Sequence, residues 1–178
     1  MSYTNCLLTG GIAKGCKDNT GGLKRALIAN KSEVTSFTSG TGASAGFITA
    51  ITGATAQEWY EFTPNKQSSN WVENVQANVQ NGTIGYEQVL TLMFAKNTAA
   101  MRNQISLLGQ GETYIIIEDY NDTYWLMGQL NGVDLTGGNS GSGTAMSDMN
   151  GWTLTLAGAE PDPARQVESS IIAGLTIV

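Results

Sequence analysis

The chain has 178 residues, enough for a single domain whose core buries roughly 70% of the unfolded surface. Only 13% of the residues are charged, against 22 glycines and many Thr, Asn and Ser; this excludes a long-helical or disordered protein and points to an all-β one with many turns. The formal net charge of −6 excludes electrostatic gripping of a phosphate backbone, which needs clustered Lys and Arg, but not a surface past which nucleic acid slides.

Residues 1–22 are punctuated by Gly10-Gly11, Gly15 and Gly21-Gly22 and read as irregular. Met-Ser-Tyr-Thr is not a basic segment leading into an apolar one, so no export signal is expected; Cys6 and Cys16 are then expected as reduced thiols rather than a disulfide. No run of about 18 apolar residues predicts a membrane span. Leu23 to Ala29 reads as the first strand, ending at Asn30, with Val34 to Phe37 as its partner. Ser39 to Gly46 is a Gly/Ser/Thr/Ala loop. Phe47 to Ile51 and Glu58 to Phe62 are the next strands, the second stopped by Pro64.

A long β-hairpin follows. Asn81-Gly82 is the strongest two-residue turn signal, because a type I′ turn needs positive φ at both central positions. That turn sets Val79 against Ile84, Ala77 against Tyr86 and Trp71 against Leu92 on a mostly apolar face. The other face carries Asn74, Gln76 opposite Glu87, Asn78, and Gln80 opposite Thr83. Arms of about ten residues give a ribbon of roughly 33 Å, where a typical strand has about 5–6 residues. Such a ribbon, apolar on one side and amide-rich on the other, is suited to joining a larger sheet. The middle leaves a swap of faces open, because Val89 and Met93 are apolar too.

Asn97 is the expected N-cap of a helix in which Met101, Ile105 and Leu108 form one stripe, packed on a sheet and stopped by Gly109 or Gly111. Tyr114 to Glu118 reads as a buried strand, turned by Asn121-Asp122 into Tyr124 to Gly128, with Gln129 to Leu135 extending that sheet. Gly137 to Gly143 reads as a flexible loop, and Trp152 to Ala157 as a returning strand. Pro161 and Pro163 end the domain. The remaining apolar tail, with Ile171, Ile172, Leu175 and Ile177, would be an aggregation hazard if left free. Two readings stay open for it: a last strand of its own sheet, or a segment docked on a neighbouring subunit.

Motifs that suggest chemistry lack their partners. Gly42-Ala43-Ser44-Ala45-Gly46 matches G-x-S-x-G, but the chain has no histidine to act as base, so Ser44 is read as a loop residue. The Gly40 to Gly46 stretch lacks the Gly-Lys-Ser/Thr of a phosphate loop. Asp119, Asn121 and Asp122, and Asp148 with Asn150, are read as turns rather than cation ligands. Nothing in the sequence places Glu58 and Glu61 opposite one another, so a glycosidase pair is not supported. Trp59, Tyr60, Trp71, Tyr124, Trp125 and Trp152 suit core or cross-strand pairs better than a sugar platform. No catalytic residue, cofactor or metal site is expected.

The ordered set Leu27-Ile28-Ala29-Asn30, Trp59-Tyr60-Glu61-Phe62-Thr63-Pro64-Asn65-Lys66, Gly82-Thr83-Ile84-Gly85-Tyr86, Leu107-Leu108, Tyr114-Ile115-Ile116-Ile117-Glu118-Asp119, Trp125-Leu126-Met127-Gly128, Asn131-Gly132-Val133-Asp134-Leu135 and the stretch from Asp148 to Glu160 resembles the tail tube proteins of tailed bacteriophages, particularly of phages infecting Bacteroidota. The resemblance spans residues 23–164. It implies a β-sandwich or barrel with one flanking helix, assembled through its long hairpin into rings whose inner annular sheet lines a genome channel. The same fold builds injection-system tubes and tail-completion rings. The implied division is a Gly-rich segment 1–22, a β domain 23–164 and an apolar extension 165–178. The expected protein is a non-enzymatic virion component of the tail, assembled in the host bacterial cytoplasm. Its partners would be further copies of itself, in a hexamer or, near a portal, a dodecamer, and other tail or portal-proximal proteins. DNA would pass without specific binding, and no membrane is involved. On this reading Asn74, Gln76, Asn78, Gln80 and Glu87 face the lumen, and Ile171, Ile172, Leu175 and Ile177 contact a neighbour. The rivals are a carbohydrate-binding or adhesin module of a tail fibre and, as an enzyme, a serine hydrolase at Ser44.

Overall fold

The computed structural model describes residue 8, residues 10–54 and residues 57–178, so Cys6 lies outside the described residues. The chain is mainly β, with curled sheets and one principal helix. The strands are β1 (Leu23–Asn30), β2 (Val34–Ser39), β3 (Phe47–Gly53), β4 (Glu58–Phe62), β5 (Asn70–Asn78), β6 (Thr83–Ala95), β7 (Thr113–Asp119), β8 (Tyr124–Met127), β9 (Asp134–Gly141), β10 (Gly151–Glu160), β11 (Arg165–Val167) and β12 (Thr176–Ile177). The helices are α1 (Ala99–Leu108) and the single turn α2 (Ser169–Ile172). They build an eight-stranded sheet, β12-β4-β1-β7-β8-β11-β3-β2, and a four-stranded sheet, β5-β6-β10-β9.

Alternation along the central strands explains two cores rather than one. On β7, Ile115 and Ile117 enter the first core while Tyr114 and Ile116 enter the second; on β1, Ala26 and Ile28 divide from Leu27 and Ala29 in the same way. A strand buried on both faces reads as an unbroken apolar run, which is the Tyr-Ile-Ile-Ile of β7. The first core lies between the sheets, where Leu90, Leu92 and Phe94 of β6 and Leu154 and Leu156 of β10 meet the β1 and β7 side chains. The second core joins Trp59 of β4 to Ile48 of β3, strands far apart in sheet order, so the larger sheet curls around it.

Helix α1 seals one side of the first core. Its Ile105 and Leu108 are buried and Met101 packs beside them, as the stripe predicts. The cap is Thr98, not Asn97: the Thr98 hydroxyl accepts from Met101 N at 3.2 Å. Asn97 Oδ1 instead accepts from Arg102 Nε at 2.9 Å and from Trp152 Nε1 at 3.2 Å, tying the helix start to β10.

Several expected pairings change. Val34 to Phe37 falls on β2, which pairs with β3; β1 lies between β4 and β7, because its apolar residues need a covered position on both faces. The stretch from Gly137 belongs to a strand, β9, rather than a flexible loop. A Cβ on Gly138 would stand 2.8 Å from the Thr153 carbonyl oxygen, so glycine here marks close strand approach rather than freedom. Gln129 to Gly132 turns the chain away from the larger sheet, and Val133 then bridges to Thr113. The domain does not end at Pro163. β11 sits inside the larger sheet between β8 and β3, and β12 adds its edge strand, so residues 165–178 are part of the fold.

Candidate functional site

The site lies on the smaller sheet, where the hairpin β5–β6 is extended by β10 and β9. Its observed register pairs Ala77 with Ile84, Val75 with Tyr86 and Trp71 with Leu90. The two-residue turn does not form: Gly82 has φ of 64°, but Asn81 is not in the left-handed region that a type I′ turn also demands there. The loop is the four residues 79–82, held by Asn78 Oδ1 accepting from Asn81 N at 3.0 Å. The register moves by two residues, so each strand residue keeps its predicted face. Gln80 and Val79 leave the ladder for the loop.

Inward, the alternation Gln88, Leu90, Leu92, Phe94 on β6 faces the first core. Outward lie Val72, Asn74, Gln76 and Asn78 of β5, Thr83, Glu87, Val89, Thr91 and Met93 of β6, Thr153 and Thr155 of β10, and Asn139 of β9. Four predicted lumen residues therefore share one face. Asn74 is directly opposite Glu87, and Gln76 Nε2 donates to Glu87 Oε2 at 3.2 Å; Asn74, Gln76 and Asn78 are exposed. Val89 and Met93 share this outer face, half-buried among polar neighbours. None of the four strands carries a lysine or an arginine.

Buried polar contacts fix this sheet to the rest. Gln88 is 1% exposed; its Oε1 accepts from Gly128 N at 2.9 Å and its Nε2 donates to Glu73 Oε1 at 3.0 Å. Glu73 Oε1 also accepts from Ala164 N at 2.7 Å. The buried Glu160 carboxylate accepts from the N–H groups of Leu130 and Asn131. Composition alone hides these roles, but one polar residue interrupting the apolar face of β6 is a readable signal of Gln88. Past the last β6–β10 pair, Tyr86 with Glu160, the hairpin continues as a two-stranded ribbon, with Val75 and Ile84 each more than half exposed. Among the described residues β5 and β9 are the edges of the sheet, with no further strand paired to them.

The tail residues lie elsewhere. Ile172 is buried in the second core, with Ile171, Leu175 and Ile177 packed against it. β12 runs parallel to β4; Val178 N donates to the Trp59 carbonyl at 3.0 Å and Glu61 N to the Val178 carbonyl at 3.0 Å. The tail thus satisfies the open edge of β4 and covers Trp59, so within the chain it forms the last strand of its own sheet.

The other motifs resolve into structure. Ser44 ends a 3₁₀ turn between β2 and β3. Asp119 Oδ1 accepts from Asn121 N and Thr123 N, and Asp148 Oδ2 from Thr144 N and Ala145 N, as turn residues do. Those backbone donors hold the Asp148 carboxyl below its usual range. Glu61 pairs with Arg25 while Glu58 accepts from the Tyr60 hydroxyl. Sequence reading missed the buried Glu118. A bulge leaves both Lys24 and Arg25 opposite it, and its carboxylate binds both cations, raising the pKa of each. Cys16 is exposed and has no disulfide partner among the described residues. Among the described residues no helix is long and apolar enough to cross a membrane.

Comparison of the chain with protein-family models, with curated proteins and with solved structures returns no match.

Proposed function

We propose that this chain is a non-enzymatic structural subunit that closes into a homo-oligomeric ring, most simply a tail tube ring of a tailed bacteriophage, with the outer face of the smaller sheet lining the channel. The observation that carries this reading is a four-stranded antiparallel sheet whose two edge strands pair with no further strand among the described residues and which has no cation on any strand.

A long free edge offers unpaired backbone groups to another chain. In the order β5-β6-β10-β9 every neighbour is antiparallel, so β9 of one copy laid beside β5 of the next continues the alternation. Such head-to-tail contact makes a ring when its rotation closes. Six copies would contribute 24 strands at about 4.8 Å each, a sheet roughly 37 Å across before strand tilt widens it. That leaves room for a duplex inside the side chains. Amides and hydroxyls hydrate well without holding phosphate, and Glu87 repels it, so DNA would pass with little friction.

Size-exclusion chromatography with light scattering, followed by negative-stain microscopy, tests the reading. Rings or tubes with a central channel are the expected result. A strict monomer at high concentration, also after mixing with a preformed tube end, would refute it.

A further inference from the structure

The strands of the smaller sheet are stepped. Across the ladder, Val72 of β5 lies level with Val89, Ala157 and Asp134. From that level β5 runs past the end of β10 to Asn78, whereas β9 runs the other way, to Gly141 beside Gly151 and Ala95. Met93 faces outward; its N–H donates to Ser69 Oγ at 3.0 Å and its carbonyl accepts from Asn65 N at 2.8 Å, so outward residues of β6 turn their peptide groups toward β5. Alternation then points the N–H and C=O groups of Trp71, Glu73, Val75 and Ala77 away from β6, and those of Leu135, Gly138 and Ser140 away from β10. Among the described residues these two rows pair with no other strand.

The step has a hand. In a strand of L-residues running upward with the side chain toward the viewer, that residue's peptide groups point right. Seen from the outer face with β6 running up, β5 is therefore on the right and low, and β9 on the left and high. In a barrel of right-twisted strands seen from its lumen, the strands lean left, so positions around the ring climb leftward relative to them. The sheet has that hand only with its outer face inside. Setting Gln76 of one copy opposite Asp134 of the next, where Val72 is level with Asp134 in one chain, makes a step of four residues per copy. That is a rise of about 13 Å across about 19 Å of sheet, a tilt of about 35° for any number of copies, within the usual range for barrels. It also sets Val75, 60% exposed in the single chain, against the half-buried Leu135. A step of six would tilt the strands about 46°, steeper than that range, and set Val75 against Gly138, which has no side chain to cover it.

Resting on the ring reading, we propose that β9 of each copy pairs with β5 of the next in this one register, with Val75 opposite Leu135, Val72 opposite Asn139 and Gln76 opposite Asp134. Val72 and Asn139 then form a non-hydrogen-bonded pair on the lumen face, with Cα atoms about 4.5 Å apart, close enough for a disulfide. Asn74 and Asn139 are diagonal neighbours about 7–8 Å apart, too far for one. The test uses the full chain with Cys6→Ser and Cys16→Ser as background. After assembly and oxidation, Val72→Cys with Asn139→Cys should run as a ladder of covalent multimers on denaturing electrophoresis, and Asn74→Cys with Asn139→Cys should stay monomeric. Val72→Cys mixed with Asn139→Cys on separate chains should stop at dimers. Rings seen by negative-stain microscopy with the first pair unlinked, or with Asn74 linked to Asn139 instead, would overturn the register while leaving the ring in place. A strict monomer would overturn both.

Discussion

Truncating Ile172 to alanine tests which surface the C-terminal tail serves. The side chain is 6% exposed and lies in the second core with Trp59, Ile48 and Val34. Removing three methyl or methylene groups from such a site costs about 2–5 kcal/mol, the lost transfer energy plus the cavity left behind. For a chain of this length each kcal/mol moves the midpoint by about 2–4 °C, so Ile172→Ala should melt roughly 4–20 °C below the parent. The assay is thermal unfolding at a concentration where the protein is monomeric, read by circular dichroism and by tryptophan emission. Leu175→Ala, at a half-buried position, should show a smaller drop. Suppose instead that the monomer melts unchanged while ring formation needs more protein. The tail would then be spending its apolar surface on a neighbour, and the placement of β12 against β4 would be wrong.

Other outcomes follow from the same geometry. Gln88→Leu fits the volume of an apolar face but strands Gly128 N and leaves Glu73 with Ala164 N alone, so it should cost about 1–3 kcal/mol in denaturant unfolding; a neutral or stabilising result would refute the buried bridge. Asn74→Lys with Gln76→Lys places two cations on the uncovered face and should leave the melting temperature near that of the parent. In a six-membered ring about twelve added charges would make DNA retention fall steeply with salt, with a log–log slope of several units in a filter-binding assay; salt-independent passage would refute the lumen assignment. Asp148, whose folded pKa is depressed, adds stability to its loop above the unfolded carboxylate value and loses it as pH falls through the folded one. The amides of Thr144 and Ala145 should therefore shift and exchange faster only below the ordinary carboxylate range, and Asp148→Asn should remove that pH dependence; amide signals flat down to strong acid would contradict it.

Much of the element content was legible in the residues. Strands announced themselves through β-branched runs, the helix through the Met101, Ile105, Leu108 stripe, and the hairpin face through strict alternation, because these signals are local and a two-residue change of register does not alter them. The turn between β5 and β6 was not legible to the same degree. Asn-Gly permits a type I′ turn, yet the Asn78 side chain bonded to Asn81 N holds a longer loop, and Gln80 left the face assigned to it. The glycines after Leu135 were misread for a related reason: glycine signals freedom in an isolated chain, whereas in β9 it allows a close approach that only the partner strand reveals.

Composition, alternation and the absence of histidine determined by themselves a β-rich chain, a polar hairpin face and the missing base of a serine hydrolase. Tertiary structure decided which strands neighbour one another, that the larger sheet curls around a second core, and that the tail completes β4 instead of standing free. It also decided that Gln88, Glu118 and Glu160 are buried among partners distant in sequence. The physical reason is that burial and pairing are contests among all the apolar faces and open edges of the molecule, and no window of neighbouring residues contains the competitors.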